Sequence, residues 1–151
     1  MKNFLLSLGC LVALISCKKD AAEPVACMNI GTEYTVFDEA FFENCSEDAT
    51  SYTWSVNDGS NSVDYSEESP RHTWTSAGTF DVTLAATNED DVSDETTTTV
   101  EVSDMCYSCI YIAIGPSSEQ VVCASEEGSM DAMFAKKDSL NNEGYSCDMV
   151  Q

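Results

Sequence analysis

Of the eight cysteines in this sequence, Cys10 and Cys17 fall in the N-terminal apolar segment; the others are Cys27, Cys45, Cys106, Cys109, Cys123 and Cys147. Cys106-Tyr107-Ser108-Cys109 has the spacing of a dithiol redox site or of half a zinc site. Redox catalysis needs such a pair to open a helix, whose N-terminus lowers the thiol pKa, whereas here both cysteines enter a β-type run. A four-thiolate zinc site usually takes a second close pair, and Cys123 and Cys147 stand 24 positions apart. His72 is the sole histidine. General-base work requires a positioned constellation, and no GxSxG or HExxH accompanies it, so a hydrogen-bonding role within the fold is expected. Asp58 and Asp64 lie with Glu67 and Glu68 about one inter-strand loop, and Asp90 and Asp91 with Glu89, Asp94 and Glu95 about another. Calcium takes six to eight oxygens, which makes these aspartates candidate calcium ligands; without an EF-hand pattern, solvated acids are the default. No other cofactor is implied.

Residues 1–17 read MKNFLLSLGCLVALISC: a positive start at Lys2, an apolar run from Phe4 to Ile15, and a small residue before Cys17. That is the layout of a secretion signal. Twelve helical residues rise roughly 18 Å, short of a bilayer core of about 30 Å. The quartet Leu14-Ile15-Ser16-Cys17 resembles the lipobox of bacterial lipoproteins, which implies lipidation at Cys17, cleavage after Ser16 and acylation of the freed amine. Two or more acyl chains hold a protein durably at a membrane. Cys17-Lys18-Lys19-Asp20 resembles the start of bacteroidete-type outer-membrane lipoproteins, which implies display on the cell surface. Residues 1–16 are then a cleaved signal and 17–24 a lipidated tether.

The chain carries 27 acidic residues and a net charge of −21; after removal of residues 1–16, five cations face the same 27 acids, a net of −22. This balance argues strongly against nucleic acid and anionic lipid as partners, because binding a polyanion relies on Lys and Arg to displace counterions. The acids are interleaved with Thr, Val, Tyr, Trp and Phe, so the composition is that of a folding chain. Six cysteines in an oxidising compartment predict three disulfides.

From residue 25 to 103, short β-type runs alternate with turn chemistry, the pattern of a sandwich. Ala40 and Phe42, Tyr52, Trp54 and Val56, Phe80, Val82, Leu84 and Ala86, and Val100 and Val102 each show the period of two that turns one face inward. Asn57-Asp58-Gly59, Ser69-Pro70, Ala77-Gly78 and Asn88-Glu89-Asp90-Asp91 separate them. Trp54 and Trp74 are the expected large core fillers.

The runs YTWSVNDGS, SPRHTW, AGTFDVTLAATNEDDVS and TTTVEV, in that order, resemble the polycystic kidney disease (PKD) domain. Asn57, Val56 and Trp74 depart from its usual Gly, Phe and Tyr. The resemblance implies a seven-stranded Ig-like β-sandwich used as a binding or spacer module, and a Cys27–Cys45 bridge. Closing about 19 residues would contribute roughly 3 kcal/mol.

Residues 104–151 differ in kind. Tyr107 to Ile114 and Glu119 to Cys123 read as a hairpin about Gly115–Ser118, Ser129 to Leu140 as a helix with Met130, Met133, Phe134 and Lys137 near one face, and Tyr145 to Val150 as a final strand. So short a segment needs constraint beyond its core. Two disulfides among Cys106, Cys109, Cys123 and Cys147 supply it, with three connectivities open; Cys109 or Cys106 is expected to pair with Cys147. The expected fold class is mainly β, an Ig-like sandwich plus a small disulfide-rich α+β C-terminal module.

These readings converge on a non-enzymatic, lipid-anchored surface protein that contacts a glycan or a protein, with exposed aromatics carrying the contact. Phe41, Tyr65 and Tyr111 are the candidates. One alternative is an accessory subunit of an outer-membrane complex whose tail docks a partner; a second is a small hydrolase.

Overall fold

The computed structural model describes residues 22–58, 61–111 and 118–150. The chain runs β1 (Met28–Asn29), β2 (Glu33–Thr35), β3 (Glu39–Phe41), β4 (Glu43–Asn44), β5 (Ser51–Asp58), β6 (Asn61–Tyr65), β7 (Arg71–Thr73), β8 (Gly78–Thr87) and β9 (Ser93–Ser103). It continues as β10 (Cys106–Tyr111), β11 (Ser118–Cys123), α1 (Ala124–Glu127), α2 (Met130–Asn142) and β12 (Ser146–Val150).

A five-stranded sheet ordered β2-β9-β8-β5-β6 forms one layer, and the ladders β1-β4 and β3-β7 form the other. Alternation builds the interface between them: Trp54, Val56, Val82, Leu84 and Val100 on the large sheet are fully buried, as are Ala40, Phe42 and Trp74 opposite. Phe42 lies 5.6 Å from Trp54, and Trp74 stacks on Phe80 at 6.0 Å. The second layer departs from a regular seven-stranded sandwich because its strands are only two or three residues long. The Phe42 N–H extends the β3-β7 register by donating to Pro70 O at 3.0 Å, and the pairing stops there because proline has no N–H to return. A disulfide joins Cys27 to Cys45, with Cα atoms 4.8 Å apart.

The two ends of the sandwich are occupied differently. Asn88, 5% exposed, donates from Nδ2 to Ala22 O at 2.8 Å, while its Oδ1 accepts from the N–H groups of Asp90 and Val92 at 3.0 Å. The chain is therefore clamped where it enters the domain, beside the turn that starts β9. It leaves after Ser103, at the other end of that strand. Eleven residues of strand separate entry from exit by about 35 Å.

Beyond the exit, β11-β10-β12 form a second sheet, antiparallel throughout, with β10 central. Residues 112–117, which hold most of the expected hairpin turn, lie outside the described residues. The helical region begins earlier than Ser129: α1 makes a single turn and stops at Gly128, whose φ of 81° is a left-handed conformation suited to glycine. Ser129 then caps α2, its Oγ accepting from the Ala132 N–H at 3.1 Å, a contact of about 1 kcal/mol. Met133 and Leu140 are the buried residues of α2, whereas Phe134 is exposed. Lys137 extends over the Tyr107 ring, its Nζ 5.2 Å from the centroid.

Candidate functional site

The cysteines of the C-terminal module are committed to structure. Cys106 faces Cys123 across β10-β11, Cys109 faces Cys147 across β10-β12, and each opposed pair is a disulfide. Residues three apart on a strand point to opposite faces, so the Cys106/Cys109 motif serves two different cross-links. Asp104, Cys106 and Cys123 are the only three potential metal ligands that converge among the described residues. Two of them are sulfurs of one disulfide, and the Asp104 carboxylate accepts from the Ser125 hydroxyl and, at 3.2 Å, from the Ser125 N–H. That arrangement fixes the start of α1 instead of holding an ion.

Asp64, Asp90 and Asp91 join no set of three converging ligands among the described residues. Asp64 sits on β6, while Asp90 and Asp91 occupy the β8-β9 turn, where Asp91 adopts a φ of 60°. Asp58 ends β5.

His72 is 7% exposed and lies among Phe42, Tyr65 and Trp74 at centroid distances of 6.3, 6.0 and 4.7 Å. Its Nδ1 shares a 2.8 Å hydrogen bond with the Tyr65 hydroxyl. Tyr65 therefore is not the exposed aromatic expected from the sequence. It stands directly opposite Trp54 in the β5-β6 register, and opposed residues share a face, which here is the core face. Tyr111 is 37% exposed and packs on Tyr145 at 5.2 Å.

Phe41 is 45% exposed, between Ala40 and Phe42, which are fully buried. The Arg71 guanidinium carbon lies 4.9 Å from its ring centroid and is itself paired with Glu39. Phe41 also borders a groove of about 430 Å³ with Met28, Ile30, Asn29, Glu43 and Thr98. Asn29 and Glu43 oppose each other in the β1-β4 ladder, and Asn29 Nδ2 donates to Glu43 Oε2 at 3.2 Å. Gly31 closes the groove's end by allowing its N–H to donate to the Tyr34 hydroxyl at 3.1 Å; a Cβ there would meet that oxygen at 2.8 Å. The outward place of Phe41 follows from its alternation with Ala40 and Phe42, whereas the meetings of Asn29 with Glu43 and of Glu39 with Arg71 depend on cross-strand register, invisible in one chain's text.

A second exposed surface belongs to the C-terminal sheet. Helix α2 packs on the face that carries Cys109 and Val122. The opposite face carries the Cys106–Cys123 disulfide with Ile110, Val121 and Val150, which are 38, 53 and 39% exposed.

The two facing β-layers, closed over Trp54, Phe42 and Trp74, define a β-sandwich. Residues 21–103, more than half of the chain, match the model of the PKD domain, and the protein belongs to that family. The PKD1 domain of Vibrio anguillarum Epp is 27% identical, with 56% of this chain and 98% of that one covered at a TM-score of 0.47. A solved carbohydrate-binding module of the β-sandwich superfamily is 20% identical, with 56% of this chain and 36% of that one covered at a TM-score of 0.50. The chain thus spans about a third of that structure, and the likeness concerns the fold. There is no significant match among curated proteins. The segment that holds Cys17 lies outside the described residues; within them, no helix is long and apolar enough to cross a membrane.

Proposed function

We propose that this protein is a lipid-anchored, non-enzymatic spacer and binding module of the outer membrane, displayed at the cell surface. The observation that carries the reading is the placement of the two ends. The tether enters beside Asn88, and β9 carries the chain about 35 Å to the C-terminal module. A PKD sandwich between lipid and module is a stand-off, and its acidic surface resists adhesion to like-charged envelope polymers. The enclosure of His72 by three aromatic rings speaks against the hydrolase alternative.

Fractionation of cells expressing Cys17→Ser tests the anchor. The variant is expected to leave the membrane fraction, while the parent stays in it and yields, after protease shaving of intact cells and mass spectrometry, an N-terminal peptide lipidated at Cys17. An unmodified amine at Cys17 overturns the anchor.

The open face of the C-terminal sheet favours a second reading, the accessory subunit. Ile110, Val121 and Val150 expose more apolar surface than a small sheet facing water needs. Pull-down from detergent-solubilised membranes is expected to recover a stoichiometric protein partner on this reading, and a chain recovered alone counts against it.

A further inference from the structure

We infer that the groove beside Phe41 is a binding site for a neutral glycan chain. The inference deepens the binding-module reading above by naming a ligand class and the residues that take it. Phe41 is a large aromatic left 45% exposed while its chain neighbours on both sides are fully buried. Its ring is backed, outside the groove, by the Arg71 guanidinium at 4.9 Å, and Arg71 is held by Glu39. The side chains of Arg71 and Glu39 are 60 and 58% exposed, and ion pairs so exposed contribute little to stability. Their effect is to hold a flat apolar surface in place.

The rest of the groove supplies the other half of a sugar site. Asn29 and Glu43 already share one hydrogen bond, which leaves the Asn29 amide oxygen, its second N–H and the other Glu43 carboxylate oxygen for a ligand. Hexose rings present one face of C–H groups and an edge of hydroxyls. The C–H groups are attracted to the negative face of an aromatic ring, and the hydroxyls match a carboxylate and an amide. A volume of about 430 Å³ falls within the range of small-ligand clefts. Arg71 is the only lysine or arginine from 22 to 103, and it is paired; the surrounding carboxylates repel uronates and sulfated sugars, so the chain recognised is neutral.

Affinity electrophoresis of the full mature chain in native gels containing β-1,3-glucan, α-glucan, β-mannan or xylan tests the site. Retardation is expected in at least one neutral polymer and not in alginate. Phe41→Ala is expected to weaken it by about tenfold or more, and Arg71→Ala by a smaller factor, because Arg71 positions the ring without lining the groove. Phe41→Trp is expected to preserve it, and Thr97→Ala, on the outer face of the large sheet, to leave it unchanged. Unfolding midpoints measured alongside separate lost binding from lost folding. No retardation in any of the four polymers overturns the inference, as does equal retardation of Phe41→Ala in a folded protein. Selection of a peptide by the same groove would likewise replace it. A negative gel leaves the lipid anchor standing, and failed lipidation leaves the gel result standing, so the two readings fail separately.

Discussion

Replacing Trp54 by Ala is expected to lower the free energy of unfolding by about 3–5 kcal/mol, the range for deleting a large aromatic from a closed core. Trp54 is fully buried, packs on Phe42 at 5.6 Å, and donates from Nε1 to Glu67 O at 3.1 Å. The substitution removes apolar contact, opens a cavity between the two layers and strands a carbonyl. Domains of this kind have only about 5–15 kcal/mol to lose, so the midpoint of urea unfolding should fall sharply at an unchanged slope. Trp74 provides the internal comparison. It is equally buried, but its Nε1 has no hydrogen-bond partner among the described residues. Trp74→Phe should therefore cost less than Trp54→Phe, since no hydrogen bond is lost with the indole. A Trp54→Ala loss below about 1 kcal/mol would show that the layers are not packed as described.

Removing the Cys109–Cys147 disulfide as the pair Cys109→Ala and Cys147→Ala is expected to destabilise the C-terminal module by about 4 kcal/mol, the loop-closure value for a separation of 38. This bond ties β12 to β10 and so closes the segment that contains both helices. The Cys106–Cys123 bond, at a separation of 17, closes the β10-β11 hairpin alone. Its removal should cost about 3 kcal/mol and leave α2 largely protected, because the helix lies outside that loop. Few other forces hold the module: Cys109, Val122, Ala124, Met133 and Leu140 are its buried apolar residues. Hydrogen exchange is the discriminating measurement. In the double variant, amides of 124–150 should lose protection while those of β5, β8 and β9 keep it. Retained protection of α2 would falsify the assignment of its stability to this cross-link.

The parts of the fold that were legible in the sequence are those set by local periodicity. The alternation over 51–56 and 80–86 is realised residue by residue, because a strand packed on one side leaves no other arrangement of apolar groups. The Ser125-Glu126-Glu127-Gly128 stretch was harder to read, since one helical turn ended by glycine and the approach to a longer helix look alike in sequence. The helix that follows has a weak pattern. Only Met133 and Leu140, seven residues apart, are buried along it, and Phe134 and Lys137 instead meet Tyr107 from the solvent side.

The candidate site divides in the same way. Phe41 was visible as an outward aromatic, yet the groove beside it depends on Glu39 and Arg71 meeting across β3-β7 and on Asn29 meeting Glu43 across β1-β4. Tyr65 had the same local appearance and the opposite fate, because its register with Trp54 turns it inward to His72.

Residue type and short spacing were enough to read a β-sandwich with two tryptophans at its centre, a strongly acidic chain, and six cysteines available for pairing. Only the tertiary structure decided which cysteines meet, which aromatic stays outside, and what lies at each end of the sandwich. Those outcomes are set by strand register and by the distance a strand spans, and both relate residues far apart in the chain. Cys106 and Cys109 show the reason most directly. Their spacing reads as one motif, but a β-strand sends them to opposite faces, and each bonds to the strand it finds there.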